Sequence, residues 1–162
     1  QVVDANGQTL ALAADALHME ALVATGLDAQ LQANRRVLAF ARAASDPKAR
    51  AWDAAAWHNM GVALNDAGRH AEALDAYQEA LAAYQAQGRA DRIDVARWMV
   101  AHTLRLLGRL DDALAAQQAL ARSLAEAGRS DRHVHDELAT LHRAMGRPDE
   151  AARQEALRDA IR

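Results

Sequence analysis

The chain has 162 residues, enough for one compact domain or a short array of repeats and too few for two ordinary domains. Hydrophobic residues make up 51% but aromatics only 4%, so the apolar content is mostly Ala and Leu, both strong helix formers, and an all-α protein is expected. A net charge of −3 with both signs interspersed leaves no basic footprint for nucleic acid, and the absence of cysteine excludes a disulfide framework, a thiolate zinc site and a cysteine nucleophile.

The longest apolar runs, such as Leu10 to Ala14 and Ala54 to Trp57, fall far short of the roughly 18 residues of a membrane span. No membrane insertion is expected. Cysteine-free chains occur in both cytoplasm and periplasm. The start at Gln1 reads as a processed or excised N-terminus, with the cytoplasm as the preferred compartment.

Glycines set the organisation. Gly26, Gly68, Gly108 and Gly146 recur at intervals of 42, 40 and 38 residues, and Gly88 and Gly128 form a second series 40 apart. Regularly spaced glycines between Ala/Leu-rich segments read as helix stops, and two stops per period imply a helical hairpin per period. In chain order, the first seven residues read as a loose lead-in. Helices are then predicted over 8–25, 28–44, 47–67, 70–87, 91–107, 110–127, 131–145 and 148–161. Asp46-Pro47 supplies an N-cap and a first-turn proline, Asp91 and Ser130-Asp131 offer caps one and two periods later, and Pro148 opens the last helix. The expected architecture is a right-handed α-solenoid of about four antiparallel hairpins in a single domain. Its repeats lie at approximately 8–45, 47–88, 90–128 and 130–162.

The segment from Trp57 to Leu81 carries small residues where two helices must cross closely, Gly61 and Ala73, surrounded by large ones, Trp57, Met60, Leu64 and Tyr77, with Ala80 beyond. In this pattern it resembles a nearly consensus tetratricopeptide repeat. Val100, Ala101, Leu104, Gly108 and Ala113 take the same positions one period on, with Arg97 where the Trp would be. Leu138, Ala139, Gly146 and Ala151 follow in the last period, with His142 in the large-residue slot. The period around Gly26 keeps only turn and helix lengths and reads as a degenerate repeat. The family's usual period is 34 residues. The longer spacing here is similar to the variant found in kinesin-light-chain-type and bacterial members of the family.

The resemblance implies a non-enzymatic scaffold that binds a peptide or protein segment on a concave face lined by the first helix of each repeat. The inward positions are His58, Val62, Asn65 and Asp66, then Trp98, His102, Arg105 and Leu106, then His133, Asp136, Thr140 and Arg143. The binding site proper is expected at His58, Val62, Asn65, Trp98, His102, Arg105, Asp136 and Arg143: a mixed groove with one aromatic and two arginines, suited to an apolar anchor and an acidic group. One subclass of the family clamps C-terminal carboxylates. Asn59 matches one clamp position, but Glu20 and Met99 stand where Asn and Arg belong, so that specialisation is not expected.

Catalytic and metal chemistry find little support. His133 and His135 are two apart and do not share a helix face, and no HExxH arrangement occurs among the seven histidines. Ser45, Ser123 and Ser130 lack a nucleophile-elbow context, and every glycine is isolated, so there is no phosphate loop. Asp111-Asp112 and Asp149-Glu150 fall in first turns, where carboxylates favour the helix dipole. The Gly-Arg pairs at 68–69, 88–89, 108–109, 128–129 and 146–147 read as charged linkers. No catalytic residue, metal or cofactor is expected. Alternative readings are a peptide-sensing domain of a bacterial regulator and an accessory subunit of a larger assembly. Arg153, Glu155, Arg158 and Asp159 make the last helix polar enough to close the array, and a monomer or weak homodimer is expected.

Overall fold

The computed structural model describes the backbone of residues 2–161 and the side chains of residues 12–161. Among these residues the chain is all-helical, with α1 (Val2–Val23), α2 (Leu27–Ala43), α3 (Pro47–Arg50), α4 (Trp52–Asp66), α5 (His70–Ala86), α6 (Ala90–Leu106), α7 (Leu110–Glu126), α8 (Arg132–Ala144) and α9 (Pro148–Asp159). It divides into two compact units, residues 1–93 and 94–162, with the boundary inside α6.

Most helix ends fall within two residues of the sequence reading, and three differences stand out. The N-terminal lead-in is helical from Val2. The helix expected over 47–67 breaks into α3 and α4 at Ala51. There the Gln87 side-chain amide donates to the Ala51 carbonyl at 3.3 Å and to the Asp53 carboxylate at 2.9 Å, drawing a helix carbonyl outward. At α6 the helix begins at Ala90, one residue before the expected cap, and the Asp91 carboxylate pairs with Arg89 and Arg92 instead. The other expected caps hold: the Asp46 carboxylate accepts from the Ala49 N–H at 3.1 Å, and Asp131 accepts from that of His133 at 2.8 Å.

Five of the six glycine stops share one mechanism. At the α4–α5 turn Gly68 adopts φ 74°, a left-handed conformation that a Cβ would penalise. Its N–H donates to the Asn65 carbonyl at 3.0 Å, and the next N–H, of Arg69, reaches back to Leu64 at 2.8 Å. This is a Schellman motif, which satisfies the last carbonyls of the helix. The same long bond closes the turns at Arg89, Arg109, Arg129 and Arg147, on Tyr84, Leu104, Leu124 and His142. The repeated Gly-Arg pair is therefore first a backbone device. The guanidinium then adds a local ion pair, Arg69 with Glu72 and Arg109 with Asp112 three residues on. Gly26 works differently, as the N-cap residue of α2, whose carbonyl accepts from the Gln30 N–H.

In the first unit α4 packs on α5, α2 on α4 and α1 on α2. The α4–α5 crossing is set by Gly61: a Cβ there would lie 2.6–2.9 Å from three ring atoms of Tyr77, which is fully buried. Met60 and Leu64 on α4 and Ala73 and Ala80 on α5 are buried as well. The degenerate first period is joined to α4 by a core of Ala21, Ala33, Val37, Leu38 and Ala56, with Leu17, Trp52 and Trp57 partly buried against it. The Arg42 guanidinium covers the Trp57 ring at 5.7 Å.

In the second unit α7 packs on α8 and α8 on α9. Ala101, Leu104, Ala113, Leu120, Leu124, Leu138, Ala139, Leu141 and Ala151 are buried, as is His142 in its large-residue slot.

Candidate functional site

Each unit presents its own set of first-helix side chains. On α4, His58, Val62 and Asn65 fall at intervals of four and three residues and so share one helix face. Val62 is exposed and Asn65 half-buried, its amide oxygen 3.0 Å from the His70 Nδ1 across the α4–α5 turn. His58 stands edge-on to the Tyr77 ring, with centroids 5.6 Å apart. Burial, and to a lesser degree the nearby Arg92 charge, lowers its pKa below the ordinary histidine value, so the ring is neutral at pH 7.

His58, Val62 and Asp66 also border a cavity of about 180 Å³ that reaches back to Asn34 on α2. Asn34 is only 2% exposed. A larger cleft, of about 480 Å³, lies at the ends of α3 and α5 beside Arg50 and Gln87, away from every residue of the expected binding site.

On α6, Trp98, His102 and Arg105 repeat the four-and-three spacing. Trp98 is half-buried. Its indole N–H donates to the His133 carbonyl on α8 at 3.1 Å, and its ring stacks on His102 with centroids 4.8 Å apart and planes 12° from parallel. Trp98 is therefore neither a free surface residue nor a core substitute for the missing Trp of its repeat; one face of the indole is spent on His102.

Beneath this stack lies Glu137, a residue the sequence reading passed over. It is 5% exposed, with Arg105 Nε donating to one carboxylate oxygen at 2.5 Å and His102 Nδ1 lying 3.1 Å from the other. Burial pushes the Glu137 pKa up, but hydrogen bonds from His102 and Arg105 and their charges outweigh it and hold the group below the usual carboxylate value. The cluster is a buried carboxylate wedged between an imidazole and a guanidinium, which fixes the side chain on which Trp98 rests.

Asp136 and Arg143, the other expected site residues on α8, turn to a different neighbour. Arg158 on α9 donates to the Asp136 carboxylate at 2.7 Å, and Arg143 pairs with Glu155 of the same helix. Seven residues apart, they share the face of α8 that meets α9, whereas His133 and Glu137 share the one that meets α6. The structure thus gathers Trp98, His102 and Arg105 into one group and leaves Asp136 and Arg143 outside it. Both arginines of the expected groove are paired within their own unit.

Among the described residues no three His, Asp or Glu side chains are placed to hold a metal ion, and no helix is long and apolar enough to cross a membrane. Compared with known proteins, residues 52–119 match the tetratricopeptide repeat family, a segment running from the start of α4 into α7. No curated protein matches the chain.

Proposed function

We propose that this chain, whose residues 52–119 match the tetratricopeptide repeat family, binds a peptide or protein segment on the first-helix faces of its repeats. Such repeats mediate protein–protein interaction and are typically non-catalytic scaffolds. The observation that supports the finer reading is the Trp98–His102 stack, held from below by Glu137 and Arg105. A Trp whose ring is fixed by a neighbour loses little conformational freedom on binding, and Trp is enriched among the residues that dominate interfaces.

The charges favour one kind of contact. Arg105 is engaged by Glu137, Arg143 by Glu155 and Asp136 by Arg158. An acidic partner group would have to displace an existing ion pair, whereas an apolar or aromatic side chain laid on Trp98 displaces only water. The partner segment is therefore expected to present an apolar or aromatic anchor to Trp98 in the second unit; Val62 and His58 form the corresponding first-helix face of the first unit.

The test is capture of partners by the full chain, with Trp98→Ala and Val62→Asp as separate variants whose folding is checked by circular dichroism. The expected result is loss of a captured protein with Trp98→Ala while helicity is retained. Undiminished capture by both folded variants would refute the first-helix reading. Arg105→Ala is a poor probe, because it strands the buried Glu137 carboxylate and confounds binding with stability.

A further inference from the structure

The break between α3 and α4 does more than interrupt a helix. Ala51, Asp53 and Gln87, the residues that make it, also line the cleft of about 480 Å³ at the ends of α3 and α5. Two arginines line it as well, Arg50 closing α3 and Arg89 just past α5. Both are exposed, so their donors are open to a ligand.

Neither guanidinium is used up within the fold. Among the described residues no carboxylate pairs with Arg50. At the α4–α5 and α6–α7 turns the arginine after the glycine closes on the acid three residues ahead, Arg69 on Glu72 at 2.5 Å and Arg109 on Asp112 at 2.7 Å. After Gly88 the corresponding residue is Arg92, not an acid. Arg89 is left with Asp91 at 3.4 Å, a carboxylate it shares with Arg92 at 3.5 Å. Asp53 is engaged elsewhere: one of its oxygens accepts from the Gln87 amide at 2.9 Å and from the Ala54 N–H at 2.6 Å.

We propose that this cleft binds a small organic monocarboxylate, its anionic end taken by Arg50 and Arg89 and its aliphatic body lying on Pro47, Ala51, Ala83 and Ala86. The site is separate from the first-helix faces and does not depend on the function proposed for them.

Charge selects the head group. Two arginines against Asp53 leave the lining with one net positive charge. A monoanion balances it, whereas a phosphate dianion would bring excess negative charge beside Asp53. A guanidinium also presents paired donors that match the two oxygens of a carboxylate. The uncharged wall selects the body, because it is proline and alanine without an aromatic ring on which a flat ligand would stack. The volume falls within the roughly 300–1,000 Å³ of pockets that take small molecules. An acid arriving here displaces water and one long ion pair, unlike an acid arriving at Arg105, which Glu137 holds at 2.5 Å.

The experiment is a titration of the ¹⁵N-labelled full chain with hexanoate at pH 7.5, read at the Gln87 side-chain amide and the backbone amides of Ala51 and Arg89. Hexanamide and hexyl phosphate carry the same chain on a neutral and a largely dianionic head. The expected result is a saturable shift with hexanoate, weakened about fivefold by Arg50→Gln and by Arg89→Gln, the upper end of what an exposed ion pair contributes. Arg89→Gln keeps the turn, which the backbone N–H closes on Tyr84, and circular dichroism checks the folding of each variant. Lys48→Gln removes an exposed cation of α3 that does not line the cleft and should leave binding unchanged. An equal loss with Lys48→Gln would assign the shift to diffuse surface charge and overturn the proposal, as would binding indifferent to either arginine. Hexanamide binding as well as hexanoate would reduce the site to apolar sorption, and tighter binding of hexyl phosphate would make it a phosphate site; either overturns it. An acetylated tetrapeptide with a free C-terminus that binds more tightly than hexanoate would replace the free acid with a chain end. No saturable shift with any probe would overturn the proposal outright.

Discussion

Gly61 is the position at which one methyl group should cost the most. Two opposing effects act on Gly61→Ala. In a helix interior Ala is favoured over Gly by about 1 kcal/mol, which alone predicts a more stable protein. Against this, the new Cβ would sit 2.6, 2.7 and 2.9 Å from the Cε1, Cδ1 and Cζ atoms of Tyr77, where carbon–carbon contacts are optimal at roughly 3.5–4.0 Å. Relief requires a movement of about 1 Å, and Tyr77 is fully buried. The ring has nowhere to swing, so α4 and α5 must part. Overpacking of this kind costs about 1–3 kcal/mol. At the middle of that range the clash outweighs the propensity gain, and a net loss of about 1 kcal/mol is expected. The assay is urea unfolding followed by circular dichroism, for Gly61→Ala alone and in a Tyr77→Leu background. There the ring is gone, and the Ala substitution should become neutral or stabilising by up to about 1 kcal/mol. A Gly61→Ala protein as stable as the parent would refute the account of the crossing.

Two further substitutions test the second unit. Gln117 is fully buried on α7 and neither polar atom of its amide has a protein partner, so Gln117→Met, close in shape, should raise the urea midpoint, by about 1–2 kcal/mol in stability; an unchanged or lower midpoint would contradict that. Because the folded pKa of Glu137 lies below its ordinary value, its contribution is fully present above the unfolded carboxylate pKa, near 4.3, and is lost as pH falls through the lower, folded one. Glu137→Gln should therefore flatten the acid limb of a stability–pH curve measured from pH 6 to 3, and an acid limb of unchanged steepness would show that the cluster contributes nothing.

Much of the fold was legible because it is written in residues with narrow physical roles. The glycine spacing located the turns, since a left-handed helix stop admits few other residues, and Pro47 and Pro148 each open a helix. The Gly61–Tyr77 crossing was likewise visible as a small residue facing a large one. The break at Ala51 was not, because it depends on Gln87, thirty-six residues away, reaching a backbone carbonyl. Local pattern carries no trace of that.

In the site, the stripe of Trp98, His102 and Arg105 could be read from helical spacing alone. Glu137 could have been found by the same rule, as the residue one turn beyond His133, but an acidic side chain in a helical stripe is ordinarily assigned to solvent. Asn34 lay in the repeat whose sequence had lost its signature. Nothing in the residues around it announces a buried acceptor.

The ion pairs of the second unit also bear on the speed of recognition. Charges matched by a neighbour within a few ångströms project little field past the Debye length of about 8 Å at physiological salt, and Arg105, Arg143 and Asp136 are all matched in this way. A partner that docks on Trp98 as proposed would then gain little steering from these charges, and its encounter rate should fall near the unsteered value of about 10⁵–10⁶ M⁻¹s⁻¹ and change little with ionic strength. Discrimination between such partners would then lie mainly in residence time.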